Sequence, residues 1–255
     1  NLIPFAKKID MLKDAFSFYT KTSKVINKKK FTHIFLDSYT ILDLFFFSLL
    51  KFPKNIKIVV YLRIPYDFLF STKLIFSLSI IILKKKNIKF IKDTFELKNH
   101  FKKKYKIFCK VIPIPSDIKN YSKLMKFKLR KIKIIFPGKS RNEKGVKSII
   151  SLFKDKDKKT DIDFIFLRNE LIIKNLKKVA KLKLIPLRSN LPYKNYLTSL
   201  RDSHYIILPY SHKTYRLRSS GVFIDSIKLN KFCFVSKDTW MASILKRFNL
   251  DLFVI

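Results

Sequence analysis

The sequence predicts an α/β protein with two Rossmann-like domains that face each other across a cleft and contain mostly parallel sheets. Short apolar runs alternate with amphipathic or lysine-rich segments of helical length along nearly all of the 255 residues. Such alternation is typical of parallel strands that are buried on both faces and joined by helices. Two nearby prolines, Pro113 and Pro115, interrupt the pattern and separate the two halves.

Apolar runs of strand length fall into two groups around this interruption. We therefore place the first domain at 1–120 and the second at 121–255, with a lysine-rich helix over 118–131 between them. The chain begins at Asn1 and stops inside an apparent strand, so we expect a fragment cut at both ends. The predicted strands are 31–36, 56–62, 88–91 and 107–112 in the first domain, and 132–136, 162–167, 182–185, 204–208, 232–235 and 252–255 in the second.

The segment 68–83 is strongly apolar and predicts a buried or interfacial helix. It is short for a transmembrane span, and Lys73 interrupts it. Lys84, Lys85 and Lys86 follow directly and would contact anionic lipid headgroups if the helix lay on a membrane surface. A core helix and a membrane-contacting helix are both consistent with this pattern.

The formal charge of +38 and the pI of about 10.2 favour a polyanion or an anionic membrane as a partner. However, 9 of the 56 basic residues are Arg, the residue that usually clamps phosphates and reads bases. Lysine is spread over every segment, which a coding bias toward AT-rich codons explains equally well. Cys109 and Cys233 match no metal site or disulfide framework, so we expect buried free thiols in a reducing cytoplasm.

A first glycine-bearing loop follows the strand over 132–136 and precedes a helix over 146–153. Gly138 would allow a turn that a side chain would obstruct. Lys139 and Lys144 could converge on a diphosphate with help from the helix dipole. The loop lacks the residue order of a P-loop, and a solvated turn with incidental lysines is the alternative interpretation.

A second loop follows the strand over 204–208 and ends at the start of a helix, where backbone N–H groups suit a phosphate. Two arginines flank it, and an acid one turn into the helix could accept hydrogen bonds from ribose hydroxyls. Solvated loop charges and a helix-start acid that favours the dipole are the alternatives. The candidates are Arg216 and Arg218 for the phosphate, Ser219, Ser220 and Gly221 for the N–H groups, and Asp225 for the ribose.

Other polar residues of the second half have simpler interpretations. Thr239 predicts the N-cap of a further helix, and Trp240 is expected in the core. His212 lies in the second loop and is a further candidate for the site. The histidines, at positions 33, 100, 204 and 212, show no metal-ligand spacing.

The two loops together resemble the nucleotide-sugar half of GT-B glycosyltransferases, in particular the retaining group called family 4 or group 1. That group has a G-R-x3-E-K-G loop after the first strand of its second domain, and here the run from Gly138 to Gly145 reads GKSRNEKG. The family's later strand ends in L-P-S/Y, as does Leu208-Pro209-Tyr210, and an acid on the next helix matches Asp225. The resemblance covers 132–255 well and the end of the first domain more weakly.

The resemblance implies transfer of a hexosyl group from a nucleoside-diphosphate sugar, without an obligatory metal or other cofactor. Lys139 and Lys144 would neutralise the diphosphate leaving group, the amides of Ser220 and Gly221 would hold its oxygens, and Asp225 would bind the ribose. Gly138 and Arg141 belong to the same loop and are assigned to donor binding. The resemblance implies retention of configuration, but no nucleophile is assigned and inversion stays open.

Two departures from the family pattern affect this interpretation. The family has a Glu eight residues before the helix acid, and Leu217 stands there; the acid itself is Asp instead of Glu. The family's first-domain catalytic His has no clear counterpart, and Arg63, at the end of a strand, is our candidate for that place. The family's opening strand and last helices are also not found.

We therefore expect a cytoplasmic glycosyltransferase, peripheral to the inner face of the plasma membrane, that builds a cell-surface polysaccharide or glycolipid. Its partners would be a nucleotide-sugar donor, a glycan or lipid-linked acceptor and an anionic membrane surface. A basic nucleic-acid-binding protein is the alternative from another class, although no nucleic-acid motif is present. A non-catalytic glycosyltransferase homologue is the third, because Leu217 replaces the family's Glu.

Overall fold

The computed structural model describes residues 5–28, 31–64, 70–114, 131–138, 141–154 and 161–255. The chain divides into two compact units, Asn1–Pro113 and Ile114–Ile255. The change of unit falls at the proline-containing interruption seen in the sequence. The predicted boundary between 120 and 121 lies outside the described ranges and stays a prediction. The same holds for the helix over 118–131, of which the structure describes only residue 131.

The first unit contains a four-stranded sheet in which neighbouring strands are parallel and follow chain order. Helices precede the first strand and connect each strand to the next, as the alternation predicts. A capping box between Thr40 and Asp43 fixes the start of one helix, and Thr94 caps another. The strands are β1 His33–Leu36, β2 Lys57–Tyr61, β3 Ile88–Lys92 and β4 Cys109–Val111, and the helices are α1 Phe5–Lys28, α2 Ile41–Leu49, α3 Phe70–Lys84 and α4 Phe95–Tyr105.

One face of this sheet carries the core of the unit. Leu36, Val60, Phe90 and Cys109 lie in register across β1 to β4 and are all buried. Lys92 is also fully buried, with its Nζ 2.8 Å from the ring centroid of Phe101 on α4. Because burial disfavours the charged ammonium, the pKa of Lys92 falls to about 6.

The second unit contains a five-stranded parallel sheet in the order β7-β6-β5-β8-β9. The chain moves outward from β5 to β7 and then returns to place β8 on the other side of β5. Ligands of open α/β sheets bind at such a reversal, outside the carboxyl ends of the strands. The strands are β5 Ile132–Phe136, β6 Ile162–Leu167, β7 Leu182–Leu187, β8 Tyr205–Leu208 and β9 Phe232–Val235, and the helices are α5 Val146–Lys154, α6 Glu170–Leu176, α7 Tyr193–Arg201, α8 His212–Tyr215, α9 Gly221–Lys228 and α10 Trp240–Arg247.

The predicted terminal strand over 252–255 is wrong. A 3-10 turn spans Asp251–Phe253, and Val254 makes a single bridge to Val235 of β9. The turn brings the Phe253 ring to 5.1 Å from that of Phe232 and 5.5 Å from that of Phe234, so side-chain packing determines the local conformation. An apolar run this short does not distinguish a turn from a strand.

Three smaller expectations, on Thr239, Trp240 and the two cysteines, are confirmed. The Thr239 hydroxyl accepts a hydrogen bond from the Ala242 N–H at 3.2 Å, and Trp240 is buried behind it. Cys109 and Cys233 are buried and free. In the described parts of the chain, no helix is long and apolar enough to cross a membrane.

Candidate functional site

The two loops singled out in the sequence meet at the sheet reversal, because they follow the adjacent strands β5 and β8. The Ser211 N–H of the second loop donates a hydrogen bond to the Glu143 carbonyl of the first at 2.9 Å. Gly145 lies against the Pro209 carbonyl, so a Cβ at this position would be 1.9 Å from that oxygen. The chain therefore joins the two loops by backbone contacts, before any ligand is considered.

The glycine requirements differ from the prediction. Gly145 has φ +80°, which favours glycine, and has no room for a side chain. A Cβ on Gly138 would meet its nearest atoms at 3.5 Å, an ordinary contact, so the predicted obstruction at Gly138 is wrong. Gly221 has no atom within 4 Å of a built Cβ.

Lys144 lies where the two loops join. Its Nζ is 3.7 Å from the ring centroid of Tyr210 and 4.7 Å from that of Tyr215, both in the second loop. Burial, and then the charges of Arg218 and Arg141, lower the pKa of Lys144 to about 7, while Glu143 opposes them. Three basic groups thus act on one another across this junction, and an anion bound among them would relieve their repulsion.

The arginines occupy three different environments. Arg141 is exposed and forms an ion pair with Glu143 at 3.4 Å. Arg218 is half-buried and places its guanidinium 5.6 Å from the centroid of the Tyr215 ring. Arg216 is exposed at the end of α8 and has no such ring contact among the described residues. Lys139, our other candidate in the first loop, lies outside the described residues.

The second loop ends at the N-terminus of α9. Ser219 and Ser220 are buried, and the Ser220 hydroxyl accepts a hydrogen bond from the Phe223 N–H at 3.3 Å. That hydroxyl is the N-cap of α9, so the backbone N–H groups of the first turn are the donors that this end of the helix offers to an anion.

Asp225 lies in the second turn of α9, and the first turn contains no acid. Its position therefore does not support the alternative that Asp225 is an acid at the helix start that interacts with the helix dipole. The hydroxyl of Tyr193 donates a long hydrogen bond to its Oδ1 at 3.5 Å. After burial, the charge of Asp225 is the main cause that raises the pKa of Tyr196.

A cavity of about 370 Å³ lies at this junction and is lined by two chemically different groups of residues. Gly138, Arg141 and Lys144 come from the first loop, and the other lining side chains are mostly apolar or aromatic. The Tyr193 and Tyr196 rings stack at 6.0 Å with an interplanar angle of 24°. The Tyr196 hydroxyl is buried and has no hydrogen-bond partner within the described parts of the chain. The apolar lining residues are Leu167, Leu191, Tyr193, Tyr196 and Val222.

Tyr193 and Tyr196 were not among the residues predicted for the site. The signal was present in the sequence, because two tyrosines three residues apart begin the helix that follows β7. Aromatic residues at that spacing are common on the core faces of helices, so the pattern did not distinguish a cavity wall from ordinary packing.

The remaining sequence candidates are Arg63, in the first unit, and His212, in the second loop. Arg63 follows β2 in the first unit, where it is exposed and its guanidinium lies 5.5 Å from the Tyr61 ring centroid. His212 is exposed at the start of α8, and Leu217 is half-buried. Within the described ranges, no group of three or more His, Cys, Asp or Glu side chains could hold a metal ion.

Comparison with solved structures identifies the fold. No protein-family model and no curated protein matches the chain. A glycosyltransferase from Rickettsia africae is 17% identical with a TM-score of 0.56, over 90% of this chain and 64% of its own. TarM is 14% identical with a TM-score of 0.61, over 89% and 45%. A trehalose 6-phosphate synthase from Burkholderia multivorans is 8% identical with a TM-score of 0.59, over 99% and 67%.

The chain thus spans less than two thirds of the first two of these structures. The likeness shows that the chain has the α/β fold of GT-B glycosyltransferases.

Proposed function

We propose that this protein is a glycosyltransferase that moves a hexosyl group from a nucleoside-diphosphate sugar to a glycan or glycolipid acceptor. The observation that carries the proposal is one cavity that is lined both by the basic residues Arg141 and Lys144 and by the aromatic residues Tyr193 and Tyr196, where Tyr193 donates a hydrogen bond to the Asp225 carboxylate. A nucleoside diphosphate offers a matching group to each of these, since its phosphates are anionic, its ribose is hydroxylated and its base is aromatic.

In this proposal the basic side chains of the site stabilise the diphosphate as it leaves the sugar. Lys144, Arg141 and Arg218 face the negative charge that develops on the leaving group, and the N–H groups of Ser220 and Gly221 donate to its oxygens. Lys139 is assigned the same task from its place in the sequence. Fixed donors of this kind accelerate a reaction because they stabilise the transition state more than the ground state.

Asp225 would accept hydrogen bonds from the ribose hydroxyls, and the tyrosine rings would contact the base. The contact between Tyr193 and Asp225 is long at 3.5 Å, so a ribose hydroxyl can replace it at modest cost. We assign no nucleophile and no metal. The proposal also includes retention of configuration and a catalytic role for Arg63. It further includes a cytoplasmic location and a cell-surface product such as lipopolysaccharide.

Binding of a panel of UDP, GDP, ADP and their common sugar conjugates, measured by calorimetry at moderate salt, tests the proposal. We expect one nucleotide to bind selectively in the micromolar range and Asp225→Ala to weaken it at least tenfold, because the lost hydrogen bonds to a charged group contribute about 1.5–3 kcal/mol. Asp202→Ala is the matched control, since this half-buried acid lies at the end of α7, shortly before β8 begins, and does not line the cavity.

Turnover distinguishes the enzyme from a non-catalytic homologue, the alternative that Leu217 suggests. We expect slow hydrolysis or transfer from the sugar conjugate that binds, and loss of that turnover in Lys144→Ala. Selective binding without turnover for any acceptor tested would favour the non-catalytic homologue. Failure of every nucleotide to bind would contradict the proposal itself.

A further inference from the structure

The helix α3 exposes a continuous apolar stripe in the first unit. Phe70, Leu74, Leu78 and Ile81 are 81%, 51%, 44% and 54% exposed. Their spacing of four, four and three residues places them on one face, while Phe76, Ile80 and Leu83 are buried on the other. An exposed apolar face of this kind marks a surface that contacts a partner or a membrane.

A basic pocket lies where this helix ends. The cavity has a volume of about 530 Å³ and is formed by the segment before β2 and the turn after α3. Lys51, Lys54 and Lys85 line it and are exposed, and no acidic side chain lines it among the described residues. Lys86 also lines it but donates hydrogen bonds to the Ser48 and Leu50 carbonyls, which fixes this wall to the end of α2.

The stripe and the pocket are continuous. Ile81, the last apolar residue of the stripe, lies one helical turn before Lys85 at the rim of the pocket. A partner that covers both must therefore be apolar along α3 and anionic at its end. Phospholipids have both features, since the acyl region accepts apolar side chains and the headgroup presents a phosphate.

We propose that α3 lies in the interface of an anionic bilayer and that the pocket of Lys51, Lys54 and Lys85 binds the phosphate of a phospholipid headgroup. This inference is independent of the proposed sugar transfer. A second copy of the chain that packed on the apolar stripe would leave the lysine pocket at its end without an anionic group. A nucleic acid would leave Leu74, Leu78 and Ile81 without apolar contacts.

Co-sedimentation of the full chain with lipid vesicles tests the proposal. We expect binding to mixed phosphatidylglycerol and phosphatidylcholine vesicles and little binding to phosphatidylcholine alone. Replacing Lys51, Lys54 and Lys85 together by Gln should weaken binding by about a hundredfold at low salt, since each lysine near the surface contributes about 1 kcal/mol. Lys174, Lys177 and Lys178 on and after α6 provide the matched control, because their replacement by Gln removes the same charge from the second unit.

Leu78→Ser tests the apolar stripe separately, and we expect this exposed position to leave the fold intact, which circular dichroism checks. We expect at least a threefold loss of vesicle binding in this variant. Equal losses in the two lysine triple variants would overturn the proposal, because attraction would then depend on total charge. If sedimentation showed that the wild type is a dimer and that Leu78→Ser is not, the stripe would bind a second copy and the proposal would be overturned. The proposal would also be overturned if DNA inhibited vesicle binding and glycerol phosphate did not.

Discussion

At the scale of single residues, Lys144 is the most informative side chain of the candidate site. Its Nζ lies against two tyrosine rings and near two arginines, and its pKa falls to about 7. The largest cause is burial, which an anionic ligand in the cavity would counter with an attractive charge. Ligand binding and protonation of Lys144 are therefore linked.

We predict that the affinity for the nucleotide sugar depends on pH in one direction. Below pH 7 the free protein already carries the charged ammonium, so the affinity should be flat. Above pH 7 Lys144 must take up a proton when the diphosphate binds, so the affinity should fall by up to about tenfold per pH unit until the raised pKa of the complex is reached. Calorimetry in buffers of different ionisation enthalpy measures both the affinity and the proton uptake.

The matched variant is Lys144→Arg, because the guanidinium stays charged across this range. Its binding should show no proton uptake and a flat pH profile. The sugar conjugate is used instead of the free diphosphate, since its phosphates do not titrate near neutral pH. An identical pH profile in wild type and Lys144→Arg would show that Lys144 does not contact the phosphates.

At the scale of elements, the strand–loop–helix units could largely be predicted from the sequence. The ranges 132–136, 162–167 and 232–235 were predicted with the observed bounds, because each is an apolar run flanked by polar or helix-starting residues. The site could be predicted only in part. The close approach of Gly145 to Pro209 and the position of Tyr193 and Tyr196 in the cavity wall depend on tertiary contacts. Local sequence patterns do not reveal such contacts.

Gly145 shows this difference and allows a test. We predict that Gly145→Ala destabilises the second unit by about 1–3 kcal/mol from the left-handed backbone alone, with a further loss from the clash with the Pro209 carbonyl. Nucleotide binding should fall with it, because the two loops can no longer meet. Thermal unfolding and calorimetry measure the two effects.

Gly221→Ala is the control for a glycine in the same site. A Cβ at this position meets no atom, and alanine is favoured over glycine in a helix, so stability should be unchanged or rise by up to about 1 kcal/mol. Equal stability losses in the two variants would mean that the close approach of Gly145 to Pro209 does not hold the loops together.

At the scale of the whole molecule, the net charge of +38 is the feature least able to identify a partner. The structure gives the charge two specific locations, the basic lining of the cavity in the second unit and the lysine pocket in the first. Other lysines lie exposed on helices, as at the end of α4. General attraction to polyanions and specific binding at a site must therefore be separated by measurement.

We predict that salt separates them. Binding of DNA or RNA that neutralised 6–10 phosphates would weaken by about 10³–10⁵ between 50 and 200 mM salt. Nucleotide binding involves one diphosphate held in a partly enclosed cavity, where screening is weaker, so its affinity should fall by less than about tenfold over the same range. Fluorescence anisotropy with labelled DNA and calorimetry with the nucleotide give the two slopes.

The replacement of Lys174, Lys177 and Lys178 by Gln provides the internal control for this comparison. Removing three exposed charges should reduce the salt dependence of DNA binding and leave nucleotide affinity unchanged, because these lysines do not line the cavity. The opposite result, in which DNA binds tightly at 200 mM salt and displaces the nucleotide, would mean that the cavity binds a nucleic-acid backbone. The basic nucleic-acid-binding protein would then replace the glycosyltransferase as the explanation for the charge.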